Sequence, residues 1–289
     1  MMRVTKRVIT MIILGILLAL VLVPIAVVFT NSFMSSEEIA YYYTNKQKRL
    51  LDPSPYASDY FIDMNILPNA VSISQYSALV RNPFYFHYLF NSIKLLIPIV
   101  LFNLIFSLMA AYGLTQISKK IGNPLILAFA VTMLLPLQAI IVPHYMVASF
   151  LHLSPYLSIV LPAIFNPLGT IILFQFCRAV PAELTEAAKI DGAGHIRILF
   201  YIILPLMKNG IITLAILLSV EYWNIIDQAV VFINSAYDQP LSVYLVEIAK
   251  DNMSVIFASS VIFMLPMLLI YNSFKENFSK GIQMSAGIK

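Results

Sequence analysis

Long apolar runs divided by short polar stretches set the pattern of this chain. Residues 8–29 form an unbroken apolar run behind Arg3, Lys6 and Arg7. At 1.5 Å per residue that run extends about 33 Å, enough for a hydrocarbon core of roughly 30 Å. It is too long for the apolar region of a signal peptide and lacks a small-x-small cleavage site, so it reads as a retained span. Further runs lie at about 90–114, 124–146, 156–176, 209–233 and 255–274. Six spans are therefore expected, with both termini on one side. The fold class is all-α: one polytopic membrane domain over residues 1–289. Pro24, Pro98, Pro136, Pro143, Pro162, Pro167 and Pro266 fall within or at the ends of these runs, so kinked spans are predicted.

Two polar stretches stand out. Residues 31–88 hold Tyr41, Tyr42, Tyr43, a cluster from Lys46 to Arg49, and Pro53, Pro55 and Pro68, and read as a large extramembrane loop. Residues 178–208 form a second connector, where Glu, Asp, Lys, Arg and His gather between the fourth and fifth spans.

Composition supports a membrane protein. Of 289 residues 60% are hydrophobic and 11% charged, against roughly 25% charged in soluble domains. The formal charge of +4 comes from clusters at the ends of apolar runs, not from one patch, so a nucleic-acid surface is not expected. Lys and Arg also set orientation. An inside amino terminus places Arg3, Lys6, Arg7, Lys119, Lys120, Arg178, Lys189, Arg197, Lys208, Lys275, Lys280 and Lys289 inside, twelve of eighteen. The other six, Lys46, Lys48, Arg49, Arg81, Lys94 and Lys250, belong mostly to the long loop. Both termini and the 178–208 connector are thus expected in the cytoplasm, and loop 31–88 outside. Cys177, the single cysteine, excludes an intrachain disulfide.

Within the connector, Pro181 suits a first helical position, Glu183 and Glu186 complement the positive helix start, and Gly192 with Gly194 marks the stop. A helix of about ten residues is predicted, with Leu184, Ala187, Ala188 and Asp191 on one face. The paired alanines keep that face low enough for another protein's surface to approach. A second helix is predicted from His195 to Leu204, ended or kinked by Pro205.

Glu186, Ala187 and Ala188, then Gly192, Ile202, Leu204 and Pro205, fit the pattern E-A-A-x3-G-x9-I-x-L-P at every fixed position. This resembles the cytoplasmic signature loop of ABC importer permeases. The fuller run from Glu186 to Ala193 looks like the binding-protein-dependent carbohydrate-uptake group of maltose type. Asn91-Ser92, Trp223-Asn224 and Ala286-Gly287 add to the likeness.

The resemblance implies a sugar-moving permease in a prokaryotic cytoplasmic membrane. Its expected partners are the lipid bilayer, a second homologous permease, two cytoplasmic ATPase subunits and an extracytoplasmic solute-binding protein. ATP and Mg would sit on the ATPases; no Walker pattern occurs here, and no cofactor is expected on this chain. Glu183, Glu186, Ala187, Ala188, Asp191, Gly192, Ile202, Leu204 and Pro205 would couple to an ATPase, Glu186 by a charge-assisted bond and Gly192 by setting the turn. By the same analogy residues 234–252 would touch the binding protein, and the tail 283–289 would reach toward the ATPases.

For the solute path, polar groups inside spans are the candidates, because they are costly in hydrocarbon and usually face a cavity. Glu221, Trp223, Asn224, Asn166 and Gln138 are the expected path residues, with Asn103, His144, Gln175 and Asp227 also within the runs. Sugars offer hydroxyls to carboxylates and amides, and C–H faces to aromatic rings. His144 has no second ligand at metal spacing, and no hydrolase arrangement is present, so neither a metal site nor catalysis is expected. An importer for a glycerol-phosphate ester or peptide, an ion-coupled secondary transporter, and a non-transporting scaffold are the alternative readings.

Overall fold

The computed structural model describes residues 2–44, 66–251 and 255–285. The Lys46 to Arg49 cluster, Pro53 and Pro55 of the first loop, and Ala286-Gly287 of the tail lie outside these residues. In chain order the α-helices are α1 (Met2–Asn31), α2 (Ser36–Ile39), α3 (Ser74–Arg81), α4 (Pro83–Gln116), α5 (Lys119–Met133), α6 (Leu137–Phe150), α7 (Pro155–Ile164) and α8 (Pro167–Ala179). They continue with α9 (Ala182–Ile190), α10 (His195–Ile198), α11 (Leu204–Leu206), α12 (Lys208–Trp223), α13 (Asp227–Phe232), α14 (Leu241–Asp251) and α15 (Ile256–Ser285). The described residues contain no strand, as the all-α expectation requires.

Four stretches are long and apolar enough to cross a membrane without a sharp bend: Ile9–Asn31, Pro83–Gln116, Pro155–Ala179 and Ile256–Gln283. Two more are bent pairs, Lys119–Met133 with Leu137–Phe150 at 99° and His195–Leu206 with Lys208–Trp223 at 78°. Counting each pair as one span gives six.

The first bend falls at Pro136, where a kink is expected, and the second goes with a change in the extent of the fifth span. The third span turns sharply at 134–136, where the Leu134 and Leu135 N–H groups close short turns onto Val131 and Thr132 before Pro136 starts the next helix. The fifth begins earlier than expected, at His195, and stops at Trp223 instead of running to residue 233; Asp227–Phe232 is a separate helix. Pro205 does not end its helix. The wide π turn Leu199–Ile203 lies just before it, with the Leu204 N–H bonded to the Leu199 carbonyl, and the chain kinks at Met207.

The chain divides into two compact units. In the first, residues 1–87 and 244–265, Gln75 is wholly buried. Its Nε2 donates to the carbonyls of Asn31 and Met34 at 2.8 and 2.9 Å, and its Oε1 accepts the Ala258 N–H at 3.3 Å. One amide thus serves carbonyls where α1 ends and an N–H where α15 begins, groups that no helix can satisfy by itself. The ends of the expected first loop are therefore folded here, as α2, the π turn Ala40–Thr44 and α3.

The second unit, residues 88–243 and 266–289, holds the connector and the expected path residues. Small residues let its helices approach closely. A Cβ on Gly210 would lie 2.5 Å from the Phe176 ring, and one on Gly281 would lie 1.9 Å from Thr213 Oγ1.

Candidate functional site

The fourth span is interrupted at Asn166, and the interruption builds the first part of the site. Pro167 has no N–H to return to Ala163, and the Leu168 N–H is taken by Asn166 Oδ1 at 3.0 Å instead of by Ile164. Asn103 of α4, wholly buried, answers both deficits: its Nδ2 donates to Ala163 at 3.0 Å and to Ile164 at 3.1 Å. Ala163 keeps only one short turn bond besides, from the Asn166 N–H at 3.2 Å. Ser107 donates to Asn103 Oδ1 at 3.0 Å and so fixes which way the amide faces. Gly169 makes the approach of α8 possible, since a Cβ there would lie 2.3 Å from Ser107 Oγ and 2.4 Å from Asn103 Oδ1.

Held this way, Asn166 aims its Nδ2 at α12. It donates to Glu221 Oε1 at 3.3 Å and to the Tyr222 hydroxyl at 3.0 Å. All three line a cavity of about 670 Å³, whose other polar walls are Thr132, His144, Ser158 and Gln228. Its size falls in the range of small-molecule pockets.

Of the five expected path residues, Asn166 and Glu221 are thus brought together and three are not. Trp223 is only 2% exposed and faces the protein interior. Asn224, at the end of α12, donates to the Val220 carbonyl at 2.8 Å, satisfying a group of its helix's last turn. Gln138 meets Asp227 Oδ2 at 3.4 Å and stands outside the cavity wall. Tyr222, which is not among the expected path residues, lines the cavity in their place. Its signal was adjacency to Glu221, and nothing in the sequence pointed to its bond with Asn166.

The second part of the site is the connector. Pro181 precedes α9 as its cap, one position earlier than predicted, and α9 has nine residues, none buried. Gly192 adopts φ +81°. With it the Ala193 N–H reaches the Ala188 carbonyl at 2.9 Å and the Gly192 N–H reaches Lys189 at 3.0 Å, the paired bonds of a Schellman end. Large apolar side chains stand in the open on either side, Ile190 at 86% exposure and Ile196 at 75%. Glu183, Glu186, Ala187 and Asp191 are exposed, Ala188, Ile202 and Leu204 half-buried, and Pro205 exposed.

Two polar contacts tie this connector to the end of α4. Lys189 Nζ donates to Gln116 Oε1 at 3.0 Å, and the Tyr112 hydroxyl lies 3.3 Å from His195 Nδ1. Nearer the start of the same helix, Asn91 Nδ2 donates to the carbonyls of Tyr237 and Gln239 at 3.0 and 3.1 Å, while Ser92 Oγ accepts the Leu241 N–H at 2.8 Å. Helix α4 therefore grips the loop before α14, the break in the fourth span and the connector.

Among the described residues no three His, Cys, Asp or Glu side chains come together as a metal site requires.

Comparison with known proteins agrees with this architecture. The family profile of binding-protein-dependent transport system inner membrane components matches residues 103–284. The chain is 28% identical to the arabinooligosaccharides transport system permease protein AraQ of Bacillus subtilis (strain 168), over 79% of this chain and 83% of that protein. It is 27% identical to the polygalacturonan/rhamnogalacturonan transport system permease protein YtcP of the same organism, over 96% of each. In fold it is similar to a bacterial ABC transporter involved in the import of the acidic polysaccharide alginate, with TM-score 0.75 and 22% identity over 95% of this chain and 96% of that one.

Proposed function

We propose, from the premise that this chain belongs to the family of binding-protein-dependent transport system inner membrane components, that it is the permease subunit of an ABC importer and moves a sugar or oligosaccharide inward. The cargo class follows AraQ and YtcP, both named for saccharide transport. A second permease would complete the pathway, two ATPase subunits would hydrolyse ATP with Mg, and a binding protein outside the membrane would deliver solute. The Lys and Arg distribution supports cytoplasmic termini and a cytoplasmic 178–208 connector, with residues 31–88 outside.

One observation carries the coupling role: α9 has no buried residue, yet its end is fixed by the Gly192 turn and by Lys189 and His195 bonded to α4. A helix with no buried residue but with its end anchored suits docking into another protein's cleft. Glu183, Glu186 and Asp191 offer carboxylates there, and Ala187 and Ala188 a low surface. Ile202, Leu204 and Pro205 shape the return toward α12. On the solute side, Glu221 and Asn166 present a carboxylate and an amide to sugar hydroxyls. Trp223 and Gln138 would support that wall from outside it, and Asn224 the end of α12.

The test is reconstitution with the partner subunits in liposomes. Uptake of labelled sugar is expected to require ATP and to persist when proton and sodium gradients are collapsed. Uptake that follows an ion gradient without the ATPases would overturn the proposal.

A further inference from the structure

Glu221 is the single carboxylate among the described residues that line the cavity; no Lys or Arg lines it. Asp227, just before the lining Gln228, starts α13 and accepts from Gln138 outside the cavity wall. Asn166 donates to Glu221 Oε1, and the Glu221 side chain lines the cavity.

Resting on the reading of this chain as a saccharide permease, we propose that the cavity selects neutral saccharides and disfavours those bearing uronic-acid carboxylates. A hydroxyl of a neutral sugar donates to the Glu221 carboxylate in a charge-assisted bond. Tyr222 and Ser158 hydroxyls, the Thr132 hydroxyl and the Gln228 amide serve the remaining oxygens without demanding charge. A uronate brings a second negative charge into a confined space. It gives up hydration with no cation from this chain to meet it, and the Glu221 carboxylate repels it.

The experiment uses the complete membrane complex in nanodiscs without the soluble binding protein, whose own preference would otherwise decide the result. Equilibrium binding is measured for tritiated α-1,4-galactotriose and α-1,4-trigalacturonate, which differ only at C6. The neutral sugar is expected to bind about tenfold more tightly, and Glu221→Gln is expected to bring the ratio below about threefold. Thr132→Lys, which places a cation on the wall without touching Glu221, is expected to raise trigalacturonate affinity about fivefold or more. Equal or tighter binding of trigalacturonate, or a ratio that neither substitution changes, overturns the charge selection and leaves the importer reading standing. Binding of neither sugar by a complex that still hydrolyses ATP overturns the cavity as a saccharide site, and the inference with it.

Discussion

Asn103 Nδ2 lies 3.0 Å from the carbonyl oxygen of Ala163, one of the two carbonyls that the break at Asn166 leaves without an α-helical partner. That contact, with its companion to Ile164, lets a span be interrupted in an apolar setting without leaving its carbonyls bare. Asn103→Ala is expected to destabilise the purified complex by about 1–3 kcal/mol. It should also change sugar uptake, because the Asn166 amide loses its support. Thermal unfolding in detergent alongside uptake checks both; a variant with unaltered melting and uptake would contradict the assignment.

Glu221→Gln keeps the size of the side chain and its bond to Asn166 but removes the charge that faces the cavity. Uptake of the transported sugar is expected to fall about tenfold, the loss of one charge-assisted hydrogen bond, while basal ATP hydrolysis stays unchanged. Paired uptake and ATPase measurements on one preparation separate the two. Unchanged uptake would remove Glu221 from the solute path.

Gly192→Pro cannot adopt φ +81° and loses the N–H donated to Lys189. The permease is expected to insert normally and lose solute-stimulated ATP hydrolysis in the assembled complex. Gly192→Asn, which tolerates the left-handed conformation, should retain most of it. Full stimulation in the proline variant would refute the docking role.

Gly210→Ala drives a methyl group to within 2.5 Å of the Phe176 ring and is expected to cost about 1–3 kcal/mol of stability. Phe176→Leu in the same chain should recover much of that loss. A double-mutant cycle on melting temperature reads the coupling directly, and additive effects would show that the two positions do not meet.

Asn91→Ala frees the Tyr237 and Gln239 carbonyls from α4. Amide exchange across residues 236–241 is expected to accelerate about tenfold or more, with little change elsewhere in the second unit. Hydrogen-exchange mass spectrometry resolves that segment from its neighbours.

Hydropathy carried the sequence reading far because a bilayer demands long apolar runs, and the spacing from Glu186 to Pro205 is rigid enough to be matched residue by residue. Breaks were harder to read. Pro136 marked a kink, but Leu134 and Leu135 are as apolar as the helices they separate, so nothing in the pattern indicated its size of 99°. The fifth span looked continuous to residue 233 because Ile225 and Ile226 bridge the gap between two helices with apolar side chains. Asn166 and Glu221 could be singled out by the cost of polarity in hydrocarbon, but that argument says only that each needs a partner. It could not say that Asn166 would be Glu221's, that Tyr222 would share it, or that Trp223 would turn inward. Those facts depend on where α8 meets α12, which no local pattern records.

Gly192 has nothing within 4 Å of the point where a Cβ would stand. The position therefore refuses a handedness, not a volume. A D-amino acid of almost any size fits its backbone, so a chemically joined chain could display a fluorophore or crosslinker at the tip of the connector with its turn intact.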